Sequence, residues 1–196
     1  MLPPLHPLPA GYAARAVDRL PDPAFQDIVA AHLFGDGMVR WNELRDEAQR
    51  AQASAREAHF AQVAKQRLGI WHGEALVAAS VGWQDGPDRF HMGASVVVPA
   101  HRRLGLYTHL ATWMLHWARQ EGFAEIWSNH VSTNSPVIIA KLKLGFILTG
   151  FDVTTTHGTR VSLTFPLEPI RREALLARSG LVRPTGELAR FFAGDA

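Results

Sequence analysis

Hydrophobic and polar residues follow two different periods along the chain. Between residues 41 and 66 the apolar and alanine positions recur every three or four residues, which indicates one long helix. Between residues 89 and 98 every second residue is apolar or small, which indicates a strand. Applied to the whole chain, the two patterns predict strands at 11–20, 67–72, 74–83, 89–98, 124–131, 146–155 and 160–165, and further helices at 24–33, 105–120 and 134–144. This order predicts an α/β (α+β) fold with a mixed, twisted central sheet of about seven strands flanked by about four helices.

The two ends of the chain depart from this pattern. Residues 1–10 are rich in proline, and we expect them to be extended and poorly ordered. Residues 166–196 follow the last predicted strand and contain a short helix. Near the end they also carry a cluster of large apolar residues, Leu188, Phe191 and Phe192. We therefore expect one domain over residues 1–165 and a helical C-terminal tail over residues 166–196, packed on the domain or on a partner subunit.

Composition excludes several classes of protein. The chain has 196 residues, of which 47% are hydrophobic and 19% charged, as expected for one globular domain. It has no cysteine, which excludes disulfides and thiolate-held metals and fits a reducing cytoplasm. The formal charge is only +2 and the charges are scattered, so no nucleic-acid partner is predicted. Neither a signal peptide nor a membrane-spanning segment is indicated by the hydropathy pattern.

The segment Ser95–Tyr107 has the composition of an anion-binding turn. A β-branched strand meets Pro99, and a turn with two arginines and Gly105 then opens an amphipathic helix. The first N–H groups of a helix have no partner within the helix, and the helix dipole adds positive charge there. Glycine allows an anion to approach the backbone closely. Many strand–helix junctions would match this pattern, so the turn gains specificity only from a second motif.

That second motif lies about forty residues further along, where an asparagine precedes a short helix and a Gly-Phe pair. The residues that form the two motifs are Val97, Pro99, Arg102, Gly105, Asn134, Gly145 and Phe146. In this spacing, residues 95–146 resemble the core of the GCN5-related N-acetyltransferases (GNAT), and the resemblance extends over about residues 11–165. One position departs from the family pattern at the turn, since Tyr107 stands where glycine or alanine is usual.

The resemblance implies the GNAT fold and acetyl-CoA as co-substrate. The pyrophosphate would be held by backbone N–H groups of residues 103–107, with the Tyr107 side chain directed away from it. The pantetheine arm would run beside Val96–Val98, and the thioester carbonyl would meet a backbone N–H near Val97. The CoA-binding residues implied in this way are Val96, Val97, Val98, Arg102, Arg103, Leu104, Gly105, Leu106, Tyr107, Asn134 and Lys141.

The resemblance also implies a direct attack of an amine on the thioester, which needs positioning and sometimes a base and an acid. His91 and His130 are the candidate bases, because histidine titrates near neutral pH, although each could equally be structural. Glu125 is a third candidate that we expect to be exposed. At the position of the usual tyrosine acid stands Lys141, which could bind CoA as a cation, be solvated, or donate a proton if its pKa were depressed.

No metal site is predicted, because His109 and His116 lie without a carboxylate at ligand spacing and are expected to pack or to face solvent. The long helix at 41–66 occupies the place where this fold builds its acceptor pocket, or it simply packs on the sheet. Three side chains could line such a pocket: Trp41, His32 and His59.

Together these observations predict an acyl-CoA-dependent N-acyltransferase that transfers acetyl to a primary amine of a small molecule or peptide. The alternative is a non-catalytic acyl-CoA-binding or regulatory module, which the missing tyrosine favours. A dinucleotide-binding fold is disfavoured, because the glycine-containing turn follows an internal strand rather than the first. We also expect the protein to be cytoplasmic, and a homodimer is possible.

Overall fold

The structure is a computed structural model that describes residues 1–18, 20, 24, 25, 28, 44–60 and 63–194, without the side chains of residues 55–60. The predicted helix at 24–33 lies largely outside this part of the chain. The same holds for Trp41, His32 and the side chain of His59, which were predicted to line an acceptor pocket.

A seven-stranded sheet confirms the predicted mixed fold. Its strands are β1 (Tyr12–Ala16), β2 (Lys65–His72), β3 (Ala75–Gln84), β4 (Arg89–Val97), β5 (Glu125–Val131), β6 (Ile147–Thr154) and β7 (Gly158–Pro166). They lie side by side in the order β1-β2-β3-β4-β5-β7-β6. Neighbouring strands are antiparallel except β4 and β5, which are parallel and lie at the centre of the sheet. The first strand ends at Ala16, four residues earlier than the pattern predicted.

The helices of the described chain are α1 (Glu47–Phe60), α2 (Leu106–Gln120), α3 (Ser135–Lys143), α4 (Pro169–Arg178) and α5 (Gly186–Ala193). The predicted extension of the long helix to residue 66 is wrong. Lys65 and Gln66 instead begin β2, where they pair with Trp83 and Gly82 of β3. By local pattern, these two polar residues are compatible with either a helix or a strand. The backbone hydrogen bonds to β3 determine that they form a strand.

Helix α2 packs against one face of the sheet and forms the main core with it. Leu110 and Met114 of α2 are fully buried together with Phe90 of β4, Ile126 of β5 and Leu163 of β7. A second, smaller cluster includes Ala79 and Val96 together with Leu20 and Ile28. The central strands are thus buried on both faces, which explains why β3 contains a nearly continuous apolar run.

Residues 1–10, the N-terminal segment, are held along α2 by hydrogen bonds, which corrects the expectation that they would be poorly ordered. The His6 backbone N–H donates to Thr112 Oγ1 (3.1 Å), and the His6 carbonyl lies 2.6 Å from His109 Nδ1. One helical turn further on, His116 Nε2 lies 2.9 Å from the Pro3 carbonyl. A proline-rich segment has few N–H donors of its own, so side chains of α2 bind its exposed carbonyls instead. These contacts also explain both helix histidines without a metal.

The C-terminal tail contacts the domain at several points. Arg119 of α2 donates to the Leu167 carbonyl (2.7 Å), and Arg172 of α4 donates to the Gly145 carbonyl (2.9 Å). In α5, Leu188 is buried, whereas Phe191 is 63% exposed. No helix within the described ranges is long and apolar enough to cross a membrane.

Candidate active site

The two parallel central strands separate halfway along their length. They pair at only three positions, Arg89 with Glu125, Phe90 with Ile126 and His91 with Trp127. Beyond the third pair each strand continues without a partner on the inner side, to Val97 in β4 and to Val131 in β5. A wedge-shaped gap therefore opens in the middle of the sheet.

A β-bulge in β4 starts at the point of separation. Trp83 of β3 pairs with His91, and Val81 pairs with Ala94, so that Met92 and Gly93 oppose the single residue Gly82. A bulge bends its strand and increases the local twist, which turns β4 away from β5. Glycine is required at position 93, because a Cβ there would lie 2.1 Å from the Trp83 ring.

The gap opens into a cavity of about 430 Å³, within the range typical of small-molecule sites. Side chains from both faces of the sheet line it, together with the N-terminal ends of α2 and α3. The lining residues are Trp83, His91, Met92, Gly93, Ala94, Ser95, Tyr107, Asn129, His130, Val131, Asn134, Val137, Lys141, His157 and Arg160.

The predicted phosphate turn lies between the end of β4 and the start of α2. Gly105 immediately precedes α2 with a φ of 80°, in the left-handed region that favours glycine. His109 donates its N–H to the Gly105 carbonyl, whereas no backbone carbonyl in the described chain accepts a hydrogen bond from the N–H groups of residues 103–108. This run of free donors at a helix start is the feature that binds phosphates in many proteins.

Side chains around the turn make further contacts with it. Arg102 is exposed, but its Nε donates to the Val97 carbonyl (3.1 Å) and so ties the turn to the end of β4. Arg103 has a φ of 62°, and Leu104 is exposed. From the N-terminal segment, His6 Nε2 lies 2.3 Å from the position that a Cβ on Gly105 would take. The imidazole of His6 thus borders the turn, a neighbour that the sequence pattern did not indicate.

The last residues of β4 present backbone groups to the gap. The Val98 N–H donates to the Val77 carbonyl of β3 (2.9 Å). Because successive residues of a strand direct their backbone groups to opposite sides, the Val97 N–H faces the gap. Val96, in contrast, buries its side chain in the smaller apolar cluster. Of these three valines, Val97 is the one placed to hydrogen-bond with a molecule in the gap.

Tyr107 extends from the first turn of α2 into the cavity rather than across the phosphate turn. Its ring packs against the main core, and its hydroxyl is buried without a hydrogen-bond partner among the described residues. Burial raises the pKa of this phenol, so it remains protonated and available as a donor. An unpartnered hydroxyl inside a cavity marks a point where a bound molecule can accept a hydrogen bond.

His91 lies at the last pair before the strands separate, between two tryptophans. Its ring stacks on Trp127 (centroids 4.3 Å apart) and meets Trp83 edge to face (4.6 Å). Burial, partly offset by Asp85, lowers the pKa of His91 to about 4, so the imidazole is neutral at physiological pH. Its Nε2 is buried without a partner in the described chain, and the residue lines the cavity.

Lys141 is fully buried, with 1% of its surface exposed, so the interpretation of Lys141 as a solvated lysine is wrong. Its Nζ donates to Ser128 Oγ (2.6 Å), lies 3.1 Å from Met92 Sδ and sits over the Phe146 ring at 4.3 Å. Burial lowers its pKa to about 7. The α3 helix directs this side chain toward the sheet because position 141 lies on its inner face, whereas Lys143 lies on the exposed one.

His130 joins the same group through Ser128, whose Oγ lies 3.0 Å from His130 Nε2. Burial, and then the charge of Lys141, lowers the pKa of His130 to about 3. Of the two predicted bases, His130 therefore has its Nε2 engaged, whereas His91 has a free ring nitrogen. Glu125, expected to be exposed, is instead held in an ion pair with Arg89 (2.5 Å) at the closed end of the gap.

The remaining predicted residue, Asn134, immediately precedes α3 and lines the cavity, and its side chain does not cap the helix. Three residues in or next to the cavity were not predicted: Trp83, Ser128 and Arg160. The signal for Ser128 was its position two residues before His130 in the same strand, which places both on one face. In the described ranges, no group of three or more His, Asp and Glu side chains could hold a metal.

Comparisons with known proteins agree with this architecture. A family model for the acetyltransferase (GNAT) family matches residues 27–146, more than half of the 196-residue chain. Among the curated proteins, no sequence matches significantly.

Many solved structures share the fold. An N-acetyltransferase from Staphylococcus aureus Mu50 aligns with a TM-score of 0.61 at 11% identity, over 81% of this chain and 100% of that one. A GNAT family acetyltransferase from Elizabethkingia anophelis with acetyl-CoA bound aligns with a TM-score of 0.59 at 8% identity, over 81% and 99%. The ribosomal-protein-S18-alanine N-acetyltransferase from Escherichia coli aligns with a TM-score of 0.53 at 15% identity, over 80% and 94%.

At these identities the structural matches show the fold alone, and the family model supplies the assignment. The separated parallel strands, the turn of free N–H groups and the matched segment agree with one another. The chain therefore belongs to the acetyltransferase (GNAT) family.

Proposed function

We propose that this protein is an N-acetyltransferase that transfers the acetyl group of acetyl-CoA to a primary amine by direct attack. One observation carries the proposal. The gap between β4 and β5 opens into a cavity lined by Tyr107, which follows the turn of free N–H groups, and by His91, whose Nε2 is buried without a partner among the described residues. We infer that an anion site, a channel for an extended arm and a proton acceptor together form one site.

In this proposal the CoA pyrophosphate binds the N–H groups of residues 103–108. The pantetheine arm follows the inner edge of β4, where the Val97 N–H is free to hydrogen-bond. Asn134 and Tyr107 face the arm from the starts of α3 and α2. The free donors of the turn suit the phosphates of acetyl-CoA, and the cavity suits its pantetheine arm and acetyl group, which is the activated group that the co-substrate supplies when bound.

His91 serves as the proton acceptor. Its depressed pKa keeps it neutral, with a ring nitrogen free to accept. Such a nitrogen is a weak base, so it accepts the proton as the new C–N bond forms and the amine nitrogen becomes more acidic. The two flanking tryptophans fix the ring orientation, and the closed end of the gap excludes water behind it.

The acceptor approaches from the side of the cavity formed by β3 and β7. Trp83, His157 and Arg160 line that side next to His91, and Arg160 is held in place by an ion pair with Asp152. The acceptor in this proposal is a primary amine on a small molecule or on a peptide. The absence of cysteine fits action in the cytoplasm, and a homodimer stays a prediction.

Calorimetric titration with acetyl-CoA tests the cofactor site, and Gly105→Glu provides the sharpest variant. A side chain at this position meets the His6 ring and places a carboxylate where phosphates bind, so we expect no measurable binding. Gly122→Glu is the matched control: it has the same left-handed backbone (φ 85°), has open space around its Cβ and lies at the far end of α2. Equal affinities of the two variants would show that the phosphate turn lies elsewhere.

Release of free thiol from acetyl-CoA, measured over a panel of primary amines, tests the chemistry. We expect turnover with at least one amine and a loss of about 10²-fold or more in kcat for His91→Phe, the range typical of general bases. Binding of acetyl-CoA without thiol release on any amine of a broad panel would instead favour a non-catalytic acyl-CoA-binding module.

A further inference from the structure

Within the proposed acetyl transfer, on which this inference rests, we propose that Lys141 is the general acid that protonates the departing CoA thiolate. Ser128 and His130 act as positioning residues that hold its ammonium group toward the cavity. A lysine thereby takes the part that a tyrosine on the same helix takes in many relatives.

The surroundings of Lys141 carry this inference. Its Nζ has a single oxygen partner, Ser128 Oγ at 2.6 Å, and its other neighbours are the Met92 sulfur and the face of the Phe146 ring. None of the described carboxylates forms an ion pair with it. A buried lysine that only stabilised the fold would be expected to have such a partner. Lys141 lines the cavity instead, opposite the inner edge of β4.

The donors available set the direction of the first hydrogen bond and the His130 tautomer sets the second. An ammonium group can only donate, so Ser128 Oγ accepts from Lys141, and in the Nδ1–H tautomer of His130 the Ser128 hydroxyl donates to Nε2. His130 can accept this hydrogen because it is neutral. Ser128 and His130 therefore hold one N–H of Lys141, and the remaining protons are available to a group in the cavity.

The acidity of Lys141 suits the step. Burial brings its pKa to about 7, below the value of about 8.5 for an ordinary alkyl thiol such as cysteine. Transfer of a proton from this ammonium to a thiolate is therefore favourable, whereas it would be unfavourable from an unperturbed lysine. The amine nitrogen bonds to the thioester carbonyl carbon, the C–S bond breaks with its electron pair on sulfur, and sulfur takes a proton from Lys141 Nζ. His91 receives the proton of the amine, and solvent restores both groups.

Several titratable groups face the same space and must be separated from Lys141 in any pH profile. They are His91 on β4, His130 on β5, Tyr107 on α2, and His157 and Arg160 around β7. Since His91 and His130 titrate near pH 4 and 3, neither contributes between pH 6 and 9. The pKa of Tyr107 is raised above its usual value. The ratio of wild-type to Lys141→Met kcat at each pH removes the contribution of groups common to both proteins, His157 among them, and so isolates Lys141.

The first test uses the free protein and needs no substrate. The chain has only three lysines, Lys65, Lys141 and Lys143, so a protein with ¹³C-labelled lysine gives three resolvable ε-carbon signals in NMR. We expect the signal that is missing in Lys141→Met to titrate near pH 7, far below the ordinary lysine value of 10.5. Titration of that signal near pH 10.5 would overturn the inference.

The second test measures kcat with acetyl-CoA and a saturating amine between pH 6 and 9. We expect Lys141→Met to lower kcat about 10²-fold at pH 6.5 while calorimetry shows acetyl-CoA affinity unchanged within about threefold. The ratio of wild-type to variant kcat should fall about tenfold for each pH unit above 7, as the ammonium form is lost. Lys143→Met, exposed on the same helix, is the matched control and should change neither value.

Lys141→Tyr restores the residue usual in the family, and we expect it to recover at least tenfold of the lost kcat. Unchanged kcat in Lys141→Met, or a ratio independent of pH, would refute the acid role while leaving the transferase activity intact. Acetylation of Lys141 by acetyl-CoA in intact-mass spectra without acceptor would also refute it, because Lys141 would then act as a nucleophile. Absence of acetyl-CoA binding in the wild type, in contrast, would refute the proposed function itself.

Discussion

Replacement of Lys141 by methionine should stabilise the folded protein at neutral pH and remove one component of its pH dependence. In the folded state the ammonium group has one oxygen partner and is otherwise enclosed by Met92, Phe146 and the core. Methionine has a similar length and no charge, so it can occupy the same space without the desolvation penalty.

The size of the effect follows from the two pKa values of Lys141. The unfolded chain binds the proton with a pKa of 10.5 and the folded chain with a pKa of about 7. Between these values the unfolded state binds more protons, so wild-type stability rises with pH by about 1.4 kcal/mol per unit. Below pH 7 both states are protonated and the full penalty is present. Over the whole interval the penalty amounts to about 5 kcal/mol.

Urea denaturation of both proteins between pH 6 and 9.5 measures this difference directly. We expect the advantage of Lys141→Met in free energy of unfolding to be largest at pH 6 and to shrink by about 1.4 kcal/mol per pH unit above 7. Taking the difference between the two proteins cancels the other titrating groups. Lys143→Met provides the baseline, since this exposed side chain should give a difference independent of pH. A flat difference for Lys141→Met between pH 7.5 and 9.5 would refute the burial argument.

Three further predictions follow from the same site and its supports. His91→Phe should resist acid better than the wild type. The pKa of His91 is about 4 in the folded state and 6.5 in the unfolded state, so the wild type loses stability as the pH falls from 6.5 to 4. Urea denaturation at pH 4.5 should show a higher free energy of unfolding for the variant. Tyr107→Phe should stabilise the free protein by about 1 kcal/mol, because it removes a buried hydroxyl without a partner, and should weaken acetyl-CoA binding in calorimetry. His109→Ala should release the N-terminal segment, seen as faster amide exchange at His6, and should cost about 1–3 kcal/mol in thermal unfolding.

The sequence predicted the sheet and the glycine-containing turn before α2 because both are local. Alternating apolar residues and glycine- or proline-containing turns mark each strand. The turn at Arg102–Gly105 has its arginines and its glycine within one short segment. The position of Asn134 relative to this turn was informative for the same reason. Most strand boundaries differ by one to four residues, where backbone pairing rather than composition determines the end of a strand.

The features that escaped prediction depend on contacts between distant segments. Whether Lys141 is solvated or buried depends on the gap between β4 and β5 and on Ser128, thirteen residues earlier in the chain. The bulge at Met92 and Gly93 is visible only in the register with β3. The N-terminal segment has no periodic pattern, and its attachment depends on side chains of α2 more than a hundred residues away. None of these contacts can be predicted from a short stretch of sequence.

Two departures from the family pattern, Tyr107 and Lys141, bear directly on the choice between a transferase and a binding module. From the sequence alone both weakened the expectation of catalysis. In the structure they line the same cavity from α2 and α3, one as a hydroxyl donor without a partner and the other as an amine with a depressed pKa.

The buried amine of Lys141 destabilises the fold by about 5 kcal/mol at neutral pH. An apolar side chain at position 141 would remove that penalty in one step, and stability is commonly sacrificed where a strained or desolvated group performs chemistry. The proposed acid role of Lys141 accounts for this penalty. We expect Lys141→Met to be more stable than the wild type and to bind acetyl-CoA, but to release thiol slowly. The same variant would then measure both the stability that the buried amine costs and the activity that it provides.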